Sequence, residues 1–235
     1  MVIDTSFDFR TDSFGKDPDA YSATLRRYHK LLWSKPLPNG RMFDLSTEKA
    51  GFYLHHCSSM GEFLLTSDSV IPSFTRWKRL QSVISQFSAA ENEAFRKISF
   101  TMGGMMIFPG NRVNGKQTIN GARGFTRKIS DRFDLTLECI RRHYDERCSP
   151  LSDVLQRYSN FFALFRNFQG YVDFFLLHDL IEKNTQSVRF FTEFCDFSTT
   201  AVPRNFEEYG IYRNRSIQFV QARNSRIRQY AIRHL

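Results

Sequence analysis

Twenty-five phenylalanines, nine tyrosines and two tryptophans stand among 235 residues. Each such ring covers about 150–250 Å² of apolar surface, so most of them have to be packed away from water. A chain of this length can build a core large enough to do so without disulfide staples. The aromatic load therefore predicts a filled interior. Two or three rings left at the surface would suffice for a base-stacking platform.

Periodicity assigns the elements. Asp17 followed by Pro18 is the N-cap and first position of a helix running to Trp33, with Tyr21, Leu25, Tyr28 and Leu32 at helical spacing; the proline- and glycine-bearing stretch 35–40 ends it. Phe43 with Leu45, residues 52–56 and residues 63–65 are expected strands. After Pro72 a helix carries Trp77, Leu80, Ile84 and Phe87 on one face. Residues 98–102 and 105–108 are expected strands. Asn114-Gly115 is expected to turn a hairpin, with 117–119 as the return strand. The rest is mainly helical. Phe133, Leu137, Ile140 and Tyr144 form one stripe, and a second helix opens at Ser149-Pro150. Residues 170–181 predict a buried helix, 188–191 a strand, and 206–235 a basic amphipathic helix whose inner face holds Ile217, Val220, Ile227 and Ala231. The expected fold is α+β, a small antiparallel sheet in the N-terminal half packed against a largely helical C-terminal half. One domain over 1–235 is expected, β-rich over about 40–124 and helical over about 130–235.

The formal net charge is +9. Residues 111–147 hold nine Lys/Arg against five Asp/Glu, and residues 204–235 hold seven Arg against two Glu, so the whole excess falls in these two segments. Gathered positive charge points to a polyanion or to an acidic protein surface. Six of the twelve glycines lie between Gly103 and Gly124, among Arg112, Lys116, Asn120 and Arg123, with Arg127 and Lys128 just beyond. Glycines let backbone N–H groups approach an anion, so this stretch is the expected phosphate site. It matches neither a Walker A loop nor a GxGxxG loop. Arg223 and Arg226, with the other arginines of the last helix, are expected to extend the track.

Asp131, Asp134 and Glu138 recur at helical spacing; Asp134 and Glu138 are the candidates for a divalent ion or for proton transfer. A divalent metal is thus a candidate cofactor, although no residue set has ligand spacing. His55 and His56 fall in an expected strand and so point to opposite faces; either is a candidate base in a metal-independent reaction. His143 and His178 lack metal-ligand spacing, and His29, after Arg26-Arg27-Tyr28, is expected on a solvated helix face or against a phosphate.

No membrane-spanning run is present in the sequence, since the most apolar stretch, 171–181, is short and carries Asp173, His178 and Asp179. The first residues lack the basic and apolar regions of a signal peptide, so none is expected. Cys57, Cys139, Cys148 and Cys195 form no CxxC pair, and reduced thiols in a cytoplasmic protein are expected.

Several long strings carry a resemblance: 28–40, Gly61-Glu62-Phe63 with Ser67-Asp68-Ser69, 118–124, 131–144 and 170–177. Together they resemble a bacterial family of domains with no assigned function, over most of the chain. The resemblance implies a bacterial cytoplasmic origin and a single-domain unit, and it carries over no catalytic residue. From the residues alone the expected function is nucleic-acid binding by a basic protein, as a nuclease or nucleotide-dependent transferase if enzymatic. The alternative is a non-enzymatic adaptor in a defence or toxin–antitoxin type pair, docked on an acidic partner through the basic helix. A small-molecule pocket in the aromatic core is a third.

Overall fold

The computed structural model describes residues 3–235; Met1 and Val2, the start of the sequence, lie outside the described residues. The order is α1 (Pro18–Tyr21), α2 (Ala23–Trp33), β1 (Lys35–Pro36), β2 (Met42–Phe43), β3 (Leu54–Ser58), β4 (Gly61–Ser69), α3 (Gln81–Ile84), α4 (Ala89–Ser99) and β5 (Met105–Pro109). Then follow α5 (Ile119–Phe125), α6 (Phe133–Tyr144), α7 (Ser152–Arg157), α8 (Ser159–Ala163), α9 (Phe168–Phe174) and α10 (Phe206–His234). The fold is α+β, with two small antiparallel sheets and a helical C-terminal part. One apolar cluster runs from Ile3 through the strands to Ala231 and takes in most of the rings.

The larger sheet has the order β3-β4-β5. β4 alternates in the manner of a half-covered strand: Phe63, Leu65 and Ser67 are buried, and Leu64, Thr66 and Asp68 are half-buried. β5 is buried at every position, because elements cover both its faces. β3 ends opposite Leu65, whereas β4 continues to Ser69 against β5. Residues 66–69 of β4 therefore have an edge with no strand beside it. α1 closes that edge, and its Asp19 accepts the Ser69 backbone N–H at 3.1 Å.

Several expected elements change. The first helix is broken at Ser22, whose extended backbone ends α1 while its hydroxyl caps α2 through the Leu25 N–H. The helix expected after Pro72 reduces to a 3₁₀ turn, Lys78–Leu80, and the four residues of α3. Residues 98–99 are not strand. A Ser88–Glu91 capping box starts α4, and that helix runs through them. Asn114-Gly115 turns the chain, but no hairpin forms. Thr118 caps α5 through the Gly121 N–H, so the expected return strand begins a helix. The helix expected over 170–181 is the shorter α9, and at 188–191 there is a single bridge, Ile181 to Val188.

α10 buries Tyr209, Tyr212, Ser216, Phe219, Val220, Arg223, Ile227 and Ala231 along one stripe. It presses on the turn before β5, where a Cβ on Gly103 would lie 2.4 Å from the Val220 carbonyl. Asn224 accepts the Gly103 N–H at 2.7 Å and donates to Thr101 Oγ1 at 2.7 Å. Gly103→Ala is accordingly expected to lower the unfolding free energy by about 1–3 kcal/mol, through overpacking against a helix backbone that has no free rotamer to move. Urea unfolding reads this as a lower midpoint at unchanged slope.

Candidate functional site

The residues chosen from sequence separate into three groups. The first is structural. Asp134 is fully buried, held by Arg132 Nε and Nη2 and by the Phe191 N–H at 2.8 Å. Glu138 is buried between Arg141 and Arg142, with contacts of 2.8–2.9 Å. Neither carboxylate faces a cleft, which corrects their assignment to metal binding or proton transfer. Among the described residues no group of three or more His, Cys, Asp or Glu is placed to hold a metal ion. His55 and His56 do point to opposite faces. His55 meets Glu62 at 2.9 Å on the surface, and His56 is buried on the Phe43 ring while its Nδ1–H donates to the Asp44 carbonyl. Burial lowers the pKa of His56, so it rests neutral in the core. Arg223 is fully buried, bonded to the Gly103, Met105 and Phe175 carbonyls at 2.9–3.1 Å, and Arg226 forms a bidentate pair with Asp179 at 2.9 Å. These two arginines do not extend a surface track.

The second group, Arg112 and Lys116, is exposed on the loop between β5 and α5, away from the clefts described below. The third group lies around a cleft of about 830 Å³ without lining it. Arg127 and Lys128 line one adjoining recess and Asn120 another, while Arg123 is fully buried behind Asp68, which corrects its assignment as a phosphate ligand. α1 and the loop before it form one wall, the end of β4 and the loop after it form the floor, and the 124–131 connection closes the far side.

Arg123 organises this floor. Its side chain has no solvent exposure and lies over the Phe108 ring. It forms an ion pair with Asp68, donates to Thr136 Oγ1 at 2.9 Å and donates to the Asp131 carbonyl at 2.7 Å. The last contact pins Ser130 and Asp131, both of which hold left-handed backbone conformations (φ 46° and 62°). Non-glycine residues adopt that region at a cost of about 1–3 kcal/mol, and such strain gathers at functional sites. Phe74, φ 57°, lines the same cleft. The Asp131 carboxylate lies over Gly124, 3.3 Å from where a Cβ would stand, and makes no hydrogen bond among the described residues.

Asp19 and Asp68 both line the cleft, but Asp19 has no cationic partner among the described residues. Its oxygens accept from the Ser67 hydroxyl and the Ser69 N–H, each at 3.1 Å. Behind Ser67 runs a buried relay whose direction is set by chemistry. The Trp33 indole can only donate, and it donates to His29 Nδ1 at 3.0 Å. The His29 proton is therefore on Nε2 and is given to Ser67 Oγ at 3.1 Å, which leaves the Ser67 hydroxyl to donate to Asp19. Burial, then the charges of Asp68 and Asp17, push Asp19 far above the ordinary carboxylate range. Burial also raises Asp68, and the Arg123 guanidinium holds it back. The pair thus divides into a carboxyl that keeps its proton and a carboxylate that gives its proton up first.

Cations stand at the rim. Lys16 and Arg76 line the main cleft, and Arg79, Arg127 and Lys128 line an adjoining recess of about 500 Å³. Trp77 belongs to both. None of these five cations has a carboxylate partner among the described residues. The most exposed large apolar side chains, Phe14 at 89% and Phe125 at 83%, each adjoin a residue of the cleft wall, Gly15 and Gly124. On the other side of Asp19 a recess of about 640 Å³ is lined by Tyr53 and Asn120, where Tyr53 Oη and Asn120 Oδ1 are buried without a hydrogen-bond partner.

Sequence reasoning reached Arg123, Asn120, Arg127 and Lys128 but not Asp19 or Asp68. Asp17-Pro18-Asp19 has the signature of a helix start, and Asp68 stands out only as an acid in a strand of serines. Nothing local says that they meet. Among the described residues no helix is long and apolar enough to cross a membrane.

Comparison with known proteins finds no match among curated proteins or solved structures. The sequence profile of one family, described as a family of unknown function (DUF6994), matches residues 3–227.

Burial, then the charge of Arg223, holds His29 down at about 3. Its pKa lies below that of an unfolded histidine, so its contribution to stability is complete above about pH 6.5 and is lost as pH falls below that value. Thermal melts of the native chain are expected to show a loss of about 1.4 kcal/mol per pH unit from this residue between pH 6.5 and 4. His29→Gln is expected to lower stability at pH 7 and to flatten that part of the profile. A variant with the native slope would show that His29 is not buried neutral.

Proposed function

The chain belongs to the family of unknown function DUF6994, and we propose that it binds a phosphate-bearing nucleic acid or nucleotide in the cation-rimmed cleft and acts on it with the floor carboxylates. The observation that carries this reading is a cleft that holds two unpaired cations, Lys16 and Arg76, and a carboxyl–carboxylate pair of unequal surroundings, beside a recess with three more unpaired cations, Arg79, Arg127 and Lys128. Rim cations bind phosphates whatever the base sequence. Phe14, Phe125 and Trp77 offer ring faces for bases, and base–aromatic stacking is worth about 1–3 kcal/mol per base. Phe14 and Phe125 are largely exposed, whereas Trp77 packs in part against the core and Phe74. Perturbed, mutually coupled acids in a cleft are the usual mark of acid–base chemistry.

The adaptor alternative drew on a basic last helix. α10 uses Arg213 and Arg223 inside the protein and Arg226 on Asp179, and keeps Arg215, Arg228 and Arg233 exposed without a carboxylate partner among the described residues. No observation favours that reading over the cleft.

The test is binding at several salt concentrations. A fluorescein-labelled single-stranded DNA 12-mer that meets five cations should lose roughly 100-fold in affinity between 50 and 200 mM salt. The double variant Arg127→Ala, Lys128→Ala should bind more weakly and shallow the log–log slope by about 1.4. Fluorescence anisotropy measures both. Affinity that does not respond to salt, or a slope unmoved in the variant, would sink the proposal.

A further inference from the structure

We propose that the recess beside Asp19 holds an unpaired nucleobase by its pairing edge, with a base N–H on Asn120 Oδ1 and a base acceptor on the Tyr53 hydroxyl, while the attached phosphates lie on the cations of the neighbouring cleft. The inference rests on the nucleic-acid reading above and deepens it by naming the part of the ligand that is recognised.

Two orphaned atoms carry it. The recess, about 640 Å³, has the size of an ordinary ligand pocket and shares Asp17 and Asp19 with the main cleft. Asn120 and Tyr53 both line it, and both are half-buried. Asn120 Nδ2 donates to Thr66 Oγ1 at 3.2 Å and to the Ser67 carbonyl at 3.3 Å. A carbonyl only accepts, so the amide is held in this orientation and Oδ1 is left as an acceptor without a donor. Tyr53 Oη has no partner either. Both atoms are shielded from bulk water, so solvent does not make good the loss. Native proteins leave few buried polar atoms unpaired, and two on one recess define what enters it.

Their chemistry selects the occupant. Burial raises the pKa of Tyr53, so its phenol keeps its proton and offers a donor beside the Asn120 acceptor. The charged lining is balanced, Asp17 and Asp19 against Arg26 and Lys49, and gives no preference for an ion. What fits is a neutral group with an N–H next to an acceptor. The pairing edge of every nucleobase has that arrangement, and it is the edge by which bases taken out of a stack are read. Tyr21 and Phe52 add apolar contact to the lining.

The two recognition groups are anchored before any ligand arrives. Arg26 donates from α2 to the carbonyls of Tyr53 at 2.6 Å, Phe52 at 2.9 Å and Thr47 at 3.0 Å, which fastens that wall. Asn120 stands on α5 and is tied to β4 through Thr66 and Ser67. A site held in this way loses little freedom on binding. A base paired in a duplex has the same edge taken by its complement, so the recess selects single strands.

The test uses the full chain and one fluorescein-labelled DNA 12-mer, single-stranded or annealed to its complement. Anisotropy is expected to show the single strand bound roughly tenfold more tightly, since two hydrogen bonds are denied to the duplex. Tyr53→Phe removes only the orphaned hydroxyl. It should weaken single-strand binding about three- to tenfold, with the salt slope of the native chain and no fall in melting temperature. A lower melting temperature would show that the hydroxyl has a partner inside the protein, and it overturns the inference. Native affinity in Tyr53→Phe overturns it too, as does a duplex bound as tightly as the single strand; salt-dependent binding in either case leaves the rim proposal standing. Equilibrium dialysis with adenosine, guanosine, cytidine and uridine, which carry no phosphate, separates the two proposals from the other side. Nucleoside binding that ignores salt and weakens in Tyr53→Phe supports the recess even where the 12-mer shows no salt dependence. No nucleoside retained and no 12-mer bound overturns both.

Discussion

A guanidinium with no exposure to water joins the strand half of the molecule to its helical half. Arg123 comes from α5, pairs with Asp68 on β4, bonds Thr136 on α6, holds the Asp131 carbonyl and covers Phe108 of β5. Burying a charge this fully is costly unless every donor is used. Here the donors end on a carboxylate, a hydroxyl and a carbonyl whose positions together define the cleft. Arg123 holds the Asp131 carbonyl of the strained Ser130–Asp131 backbone, and its charge holds down an Asp68 that burial raises. An apolar residue in its place would serve a core equally well; it would not shape a floor of acids.

Arg223 does for α10 what Arg123 does for the cleft. It reaches from the last helix to carbonyls on the turn before β5, on β5 itself and just after α9, while Asn224 beside it satisfies the turn at Gly103. The same charge bears on His29, next in line to Ser67 and Asp19. The core is therefore not passive filling. Its polar members form a path from the helical half to the site, with each member's hydrogen bonds determined by its neighbour's chemistry.

The net charge of the chain overstates what its surface offers. Many of the arginines in the two basic segments face carboxylates or carbonyls within the protein. The free cations that matter instead include Lys16, Arg76 and Arg79, which lie outside those segments and are brought beside Arg127 and Lys128 by folding. Counting charge along the chain locates lysines and arginines. It does not say which of them have been neutralised, since an ion pair requires proximity in space.

Local pattern determined a good deal. The 3.6-residue stripes of α6 and α10, the capping residue Asp17 and the aromatic load establish an α+β molecule with a filled core, because periodicity and capping act over a few residues. Where short signals competed, helix capping prevailed: the Ser88–Glu91 capping box carried helix through residues expected as strand, and Thr118 began a helix where a hairpin return was expected. The site belongs to the tertiary structure alone. Asp19 lies 48 residues from Ser67, and Arg123 lies 55 from Asp68. What makes one acid keep a proton and the other release it is the neighbour each finds across those gaps, a relation that exists once the chain has closed on itself.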